Sequence, residues 1–304
     1  MNQIATNDCV KLSGQVAVVT GGGRGIGRAI ALTLATAGAR IAVLARSDSE
    51  VTETAEKIKQ AGGQALAFVA DVTDADAVSR TMEKIESSLG PVNLLVNNAG
   101  IPGPIGPFVE TEADEWWQTM NVNLRGVMLC ARAVLPGMRA RRHGRVINIA
   151  SSAMPVAYFS SYATSKTALV RFTEIVAAEI KPFGLSMFAV GPGTVRTSMA
   201  EHSLQSPQGQ KWLPWFQRIF DEGLDLPVDR PSQLVLDLAS GRADRLSGRF
   251  LSVLDDLDSL LRNVKEIEAQ NLYSLRMQTL TAGAVSPALA SIRAEAERPI
   301  RPNS

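Results

Sequence analysis

Cysteine is nearly absent from the 304-residue chain, with only Cys9 and Cys130 present. They lie far apart and in no metal-binding spacing. They offer neither a disulfide framework nor a thiolate cluster, and they fit a reducing compartment. Histidine is as scarce. His143 and His202 have no ligand partner near them in sequence, so no metal site is expected. An excess of charge of one sign is also missing: Lys and Arg number 31 against 30 Asp and Glu, for a net charge of +1. That balance leaves no basic footprint for nucleic acid. The one basic cluster, Arg139-Ala140-Arg141-Arg142-His143, falls where a helix should end and reads as a solvated helix C-terminus. No apolar run approaches the ~18 residues of a membrane span. Met1–Lys11 lack the apolar stretch of a signal peptide. The expectation is a cytoplasmic protein without a membrane or nucleic-acid partner. Aromatic residues make up only 5% of the chain, so any local concentration of them stands out.

Apolar residues make up 45% and charged residues 20%, the balance of a chain that buries a full core. Short Val/Ile/Leu runs alternate with longer helical stretches. Strands are expected at 15–20, 40–45, 65–70, 93–96, 145–150, 185–190 and 249–254. Helices are expected between them at 28–37, 50–60, 74–89, 113–139, 160–181 and 231–239. Continuous apolar strands alternating with helices imply a parallel sheet covered on both faces. The fold class is therefore α/β: a doubly wound parallel sheet of about seven strands, plus a C-terminal helical extension. No linker divides it. Residues 1–10 read as a flexible tail and 11–254 as a single domain with a substrate loop at about 198–225. Residues 255–280 read as the helical extension, with a stripe of Leu257, Leu260, Leu261, Val264 and Ile267. Residues 281–304, rich in Ala, Pro, Arg and Ser, read as a disordered tail.

In such a sheet, ligands bind outside the carboxyl ends of the strands, and the chemically purposeful residues fall there. Gly21, Gly23, Arg24, Gly25, Ile26 and Gly27 follow the first strand. Glycines let backbone approach a pyrophosphate, and the next helix offers free N–H groups; a tight strand-to-helix turn also wants glycine. Arg46 follows the second strand, where an acid suits the ribose of NAD and an arginine suits the 2′-phosphate of NADP. Arg24 could join it in a clamp, although both could be ordinary surface arginines. Asp71 follows the third strand, Asn98-Ala99-Gly100 the fourth, Ser151 the fifth, and Pro192-Gly193 the sixth. Tyr162 and Lys166 are four apart on one helix face. A phenol titrates near pH ~10, and an adjacent ammonium would lower that.

With these residues in place, the chain from about Lys11 to Val253 resembles the short-chain dehydrogenase/reductase family, in its single-domain branch. The matching segments are Thr20-x-x-x-Gly-x-Gly27, Asn97-Asn98-Ala99-Gly100, Asn123 within Val122-Asn123-Leu124, the set Ser151, Tyr162 and Lys166, and Pro192-Gly193-Thr194-Val195-Arg196-Thr197. The resemblance implies a Rossmann-type fold that binds NADP(H), or alternatively NAD(H). It makes Tyr162 the general acid or base, and gives Lys166 the tasks of lowering its pKa and holding the nicotinamide ribose. Ser151 polarises the substrate oxygen, and Asn123 supports a water-linked proton relay. Asp71 and the Val72 backbone would contact the adenine, and Asn98 and Ala99 would line the adenosine ribose. The Val195 backbone and Thr197 would anchor the carboxamide. A homodimer or homotetramer is implied by the same resemblance.

Two departures from the family pattern stand out. Ser151 and Tyr162 are separated by two residues fewer than is common, so the 152–161 loop is expected to be short, and Ser152 remains an alternative to Ser151. After the last strand, Leu254-Asp255-Asp256-Leu257 replaces the usual Asp-Gly-Gly. Beyond Thr197, the residues Trp212, Trp215, Phe216, Ile219 and Phe220 fall at helical spacing. They read either as a helix packed on the core or as an aromatic lid over an apolar or aromatic small-molecule substrate. The expected function is hydride transfer between NADP(H) and a secondary alcohol or ketone, in the direction of carbonyl reduction. The alternatives are an NAD-dependent alcohol dehydrogenase working oxidatively and a non-catalytic nucleotide sensor.

Overall fold

The computed structural model describes residues 12–152 and 155–277. The tails expected at 1–10 and 281–304, and the end of the expected extension, lie outside the described residues. β1 (Val16–Thr20), with the sequence VAVVT, is buried along its whole length. A strand with no polar face can form only inside a sheet covered on both sides. β2 (Arg40–Ala45), β3 (Gln64–Val69), β4 (Val92–Asn97), β5 (Arg145–Ile149), β6 (Ser186–Gly191) and β7 (Phe250–Ser252) complete the sheet. The strand order is β3-β2-β1-β4-β5-β6-β7, and every pairing is parallel. The chain builds outward from β1 to β3, then crosses back to β4. That reversal opens a crevice at the carboxyl ends of β1 and β4.

The helices alternate with the strands: α1 (Gly25–Thr36), α2 (Asp48–Gln60), α3 (Ala75–Leu89), α4 (Ala113–Met120), α5 (Gly126–Arg141) and α6 (Ser160–Ile180). Ser47 and Asp74 cap α2 and α3, their side-chain oxygens accepting first-turn N–H groups. The strand period of two sends neighbouring residues to opposite faces. Ala17 and Val19 pack with Ile30, Leu34, Val235 and Leu238 on one side. Val16 and Val18 pack with Val78, Ile85, Val134 and Met138 on the other.

The long helix expected at 113–139 extends to Arg141 but is not uniform. Asn121–Arg125 is a π-helical turn between α4 and α5. Such single turns are frequent at functional sites, and this one carries Asn123. After β6 come α7 (Ser198–Gln205), α8 (Pro207–Trp212), α9 (Pro214–Asp221) and α10 (Asp229–Ala239). The aromatic segment is therefore broken rather than one helix. Leu213 leaves helical geometry (φ −123°, ψ 49°), and Pro214 opens α9 at a position where its missing N–H costs nothing.

The C-terminal stripe is likewise divided, into α11 (Leu257–Arg262) and α12 (Val264–Gln270). Leu260, Val264 and Ile267 are buried in the core beside α10, with Leu257 and Leu261 against them. The chain then straps the sheet's edge. The Phe250 N–H donates to the Tyr273 carbonyl at 2.9 Å, and the Leu275 N–H donates to Glu174 on α6 at 2.6 Å. The extension thus packs on its own core, away from the crevice, and covers an edge that would otherwise offer unpaired backbone groups. No helix among the described residues is long and apolar enough to cross a membrane.

Candidate active site

The crevice over β1 and β4 is a cavity of about 350 Å³. Gly21, Gly23, Arg24, Gly25, Ile26, Arg46, Asp71, Val72, Asn98, Ala99, Gly100 and Thr197 all line it. Gly27 lies beneath. A Cβ there would stand 2.2 Å from the Gly21 carbonyl oxygen and 2.4 Å from Asn98 Nδ2, so only glycine lets α1 sit this close to the turn. No side chain caps the first turn of α1, and no acid stands in it. Its N–H groups are left for an anionic ligand.

Asn98 lines the crevice and also braces the glycine turn. Its amide donates to the Thr20 and Gly21 carbonyls at 3.1 Å each. The Asn98 and Ala99 N–H groups donate to the Thr20 hydroxyl at 3.0 and 3.1 Å. The end of β4 thereby clamps the glycine turn. Asp71 accepts from the N–H and hydroxyl of Thr73 at 2.9 and 2.8 Å. Its other oxygen faces Arg46 Nη1 at 3.9 Å. Arg24 Nη1 faces Glu50 at 3.6 Å. Both guanidinium groups are exposed and weakly paired. Glu50 also lines the crevice and was missed from sequence, although Ser47-x-x-Glu50 has the spacing of a helix-start capping box.

A second pocket, of about 260 Å³, continues from the first and shares Ile26, Thr197 and Met199 with it. Ser151, Ser152, Tyr162, Pro192, Gly193 and Val195 line it. Thr197 also caps α7, its hydroxyl oxygen accepting from the Ala200 N–H at 3.3 Å. Lys166 and Asn123 stand behind the two pockets, at Gly100. A Cβ on Gly100 would lie 3.2 Å from Asn123 Oδ1 and 3.6 Å from Lys166 Nζ.

Asn123 is a tie rather than a pocket wall. Its Oδ1 accepts from the Ile101 N–H at 2.9 Å. Its Nδ2 donates to the Ile101 carbonyl and the Ser165 hydroxyl at 3.0 Å each. Ser165 donates in turn to the Tyr162 carbonyl at 2.7 Å, which locks the turn that carries the phenol. Lys166 is 5% exposed and donates to the Ile149 carbonyl at 2.8 Å. Burial lowers its pKa to about 8. Burial raises the Tyr162 phenol above its usual value, and the Ser151 hydroxyl beside it pulls the other way. Lys166 Nζ lies 5.8 Å from the centre of the Tyr162 ring. Of the two serines, Ser151 is the one placed to act on the phenol.

Trp215 and Phe216 line the second pocket together with Leu213. Trp212, expected with them, turns to a separate groove beside Glu112 and Glu115 and packs on Tyr158 at 4.6 Å between ring centres. Phe159 was missed. It stacks on Tyr162 at 4.7 Å with 17° between the planes. Its spacing of three residues before Tyr162 was the available signal.

The sheet order, the glycine turn at the switch point and the crevice define a doubly wound α/β protein of the dinucleotide-binding type. The family model described as short chain dehydrogenase matches residues 15–208. A short chain dehydrogenase of Pseudocercospora fijiensis is 34% identical over 267 residues, which cover 84% of this chain and 85% of that protein. The 3-oxoacyl-acyl-carrier-protein reductase FabG of Pseudomonas aeruginosa is 38% identical over 204 residues, covering 66% of this chain and 81% of its own. Among solved structures, a variant of the actinorhodin polyketide ketoreductase with NADPH aligns at a TM-score of 0.72 and 30% identity. The alignment covers 79% of this chain and 95% of that one. The chain belongs to the short-chain dehydrogenase/reductase family of oxidoreductases.

Proposed function

We propose that the protein is an NADP(H)-dependent carbonyl reductase with Tyr162 as its general acid. One observation carries the reading. The Tyr162 phenol sits beside Ser151 in a pocket joined to the dinucleotide crevice, and its burial keeps it protonated at neutral pH. A protonated phenol is the form that gives a proton to a carbonyl oxygen.

The crevice suits the cofactor. Glycine stands where any Cβ would collide with the turn, α1 presents free N–H groups, and Arg24 and Arg46 reach the mouth with exposed guanidinium groups suited to a 2′-phosphate. The NADPH in the ketoreductase structure supports the same choice. When bound, the reduced nicotinamide supplies a hydride to the carbonyl carbon. Ser151 orients the carbonyl oxygen, and Tyr162 Oη donates its proton to it, leaving an alcohol and a phenolate. The Lys166 ammonium, charged below about pH 8, stabilises that phenolate. Asn123 and Ser165 hold the helix turn that aims the phenol. The reading includes a cytoplasmic homodimer or homotetramer, for which sedimentation is the test.

Tyr162→Phe removes only the transferable proton. It is expected to retain NADPH binding and to lose roughly 10²- to 10⁴-fold in turnover. Near wild-type turnover in the variant would overturn the assignment.

A further inference from the structure

We propose that the second pocket takes a neutral ketone carried on a compact aromatic ring system and rejects carbonyl compounds that carry a carboxylate on that ring system. This rests on the reading of the site as a carbonyl reductase. The pocket measures about 260 Å³. An apolar cavity of ~150 Å³ holds one benzene ring, and Pro192, Gly193, Val195 and Thr197 on the same wall would seat the nicotinamide, so the space left over suits a compact ring system rather than a long chain.

Its walls are built for flat apolar surface. Phe159 lies against one face of the Tyr162 ring, 4.7 Å between centres and 17° between planes. α9 contributes Trp215 and Phe216, set edge to face at 5.6 Å and 66°. Leu213, at the break before α9, is 3% exposed and closes the space between them. Trp215 keeps 47% of its surface exposed, so part of one aromatic wall is left for a ligand to cover. Aromatic faces and edges at these angles hold rings by quadrupole contacts as well as by burial.

Charge is the second criterion. No charged side chain among the described residues lines this pocket, and the nearby cations are engaged elsewhere. Lys166 bonds the Ile149 carbonyl from behind Tyr162. Arg196 lies over the Phe220 ring at 4.6 Å and faces Asp225 at 3.5 Å. Lys211 lies over Trp212 at 4.6 Å, in the other groove. A carboxylate entering the pocket would shed its hydration and find no cation to replace it. The hydroxyls of Ser151 and Tyr162 mark one polar end, where the carbonyl oxygen must sit.

The test uses 2-tetralone, its analogue with a carboxylate on the far ring, and 2-butanone, each with the full chain and NADPH. Reduction is followed by NADPH absorbance, and ring binding by tryptophan fluorescence. The expected result is a KM for 2-tetralone at least about tenfold below that of the carboxylate analogue. Trp215→Ala should raise the 2-tetralone KM by about tenfold or more, far more than it raises the 2-butanone KM, and abolish the fluorescence quench. Equal KM values for the neutral and charged tetralones, or an unaffected Trp215→Ala, would overturn the ring assignment. Reduction of 2-butanone with neither turnover nor quenching by 2-tetralone would overturn the substrate class while the reductase reading stands. Quenching that depends on Trp215, without turnover of any ketone, would support the ring site and overturn the reductase reading instead.

Discussion

The amide of Asn98 reaches from the end of β4 to the carbonyl oxygen of Gly21, 3.1 Å away, and to that of Thr20 at the same distance. A side chain that lines the crevice is thereby committed to shaping the turn on which a pyrophosphate would rest. Asn98→Ala leaves two part-buried carbonyls without this donor, at a cost of roughly 1–3 kcal/mol. The variant should melt at a lower temperature and bind NADPH about tenfold more weakly by nicotinamide fluorescence. Unchanged affinity would mean that the turn keeps its shape without the clamp.

Gly27 makes the matching contact from the helix side. A methyl group there would meet the Gly21 oxygen at 2.2 Å and Asn98 Nδ2 at 2.4 Å. The backbone oxygen cannot swing aside as a flexible side chain would. Gly27→Ala must therefore push α1 off the turn, at a cost of about 1–3 kcal/mol or more. NADPH titration should show no binding in the concentration range that saturates the wild type. A variant that still saturates there would show that α1 can shift without spoiling the crevice.

The sheet was legible in the sequence because VAVVT and the apolar runs of β2, β4, β5 and β6 suit a strand covered on both faces, and β3 and β7 follow at its edges. The crevice residues were legible because they follow those strands directly. What escaped depends on three-dimensional detail that periodicity does not encode. The π-helical turn at Asn121–Arg125 lies within one continuous helical run, and no residue pattern marks its change to i→i+5 hydrogen bonds. The break at Leu213 lies inside a run whose aromatic spacing continues through it, so Trp212 was grouped with Trp215 although the two enter different pockets. The added tasks of Asn98, bracing the Thr20 and Gly21 carbonyls, and of Thr197, capping α7, escaped because residue type identifies a donor or acceptor and not its partner. The burial that raises the Tyr162 phenol is likewise something spacing does not report.

Cofactor preference should reside in Arg46 and Arg24. Each faces an acid at the crevice mouth, Asp71 at 3.9 Å and Glu50 at 3.6 Å. These pairs are too exposed and too long to hold the guanidinium groups against a phosphate. A charge-assisted bond to a 2′-phosphate contributes about 1.5–3 kcal/mol. Arg46→Asp should therefore weaken NADPH binding by roughly 10- to 100-fold while NADH binding holds or improves. Glu50→Gln, which removes a negative charge beside Arg24, should tighten NADPH. Parallel titrations with both nucleotides decide the matter, and an unchanged NADPH-to-NADH ratio in Arg46→Asp would remove the clamp.

Lys166 should cost the fold stability in return for its place beside Tyr162. Its ammonium is 5% exposed, bonded to the Ile149 carbonyl, and its pKa is lowered to about 8 by burial. In the unfolded chain the value is ~10.4, and the gap corresponds to about 3 kcal/mol against the charged native form. At pH 7 both states carry the proton, so the native state bears that cost in full. Between pH about 8 and ~10.4 the unfolded chain binds more protons than the native one, so stability rises with pH through that window. Lys166→Met keeps the apolar stem and deletes the charge. It should lose turnover yet melt several degrees above the wild type at pH 7, partly offset by the Ile149 carbonyl left without its donor. The advantage should shrink steadily as the pH is raised from 8 to 10. Reduction by the wild type should fall over the same range, because the ammonium that steadies the phenolate is lost. Melting curves and rate profiles across pH 7–10 test both halves. A variant that melts lower than the wild type at pH 7, or a difference that does not vary with pH, would show that the buried ammonium is not the source of strain.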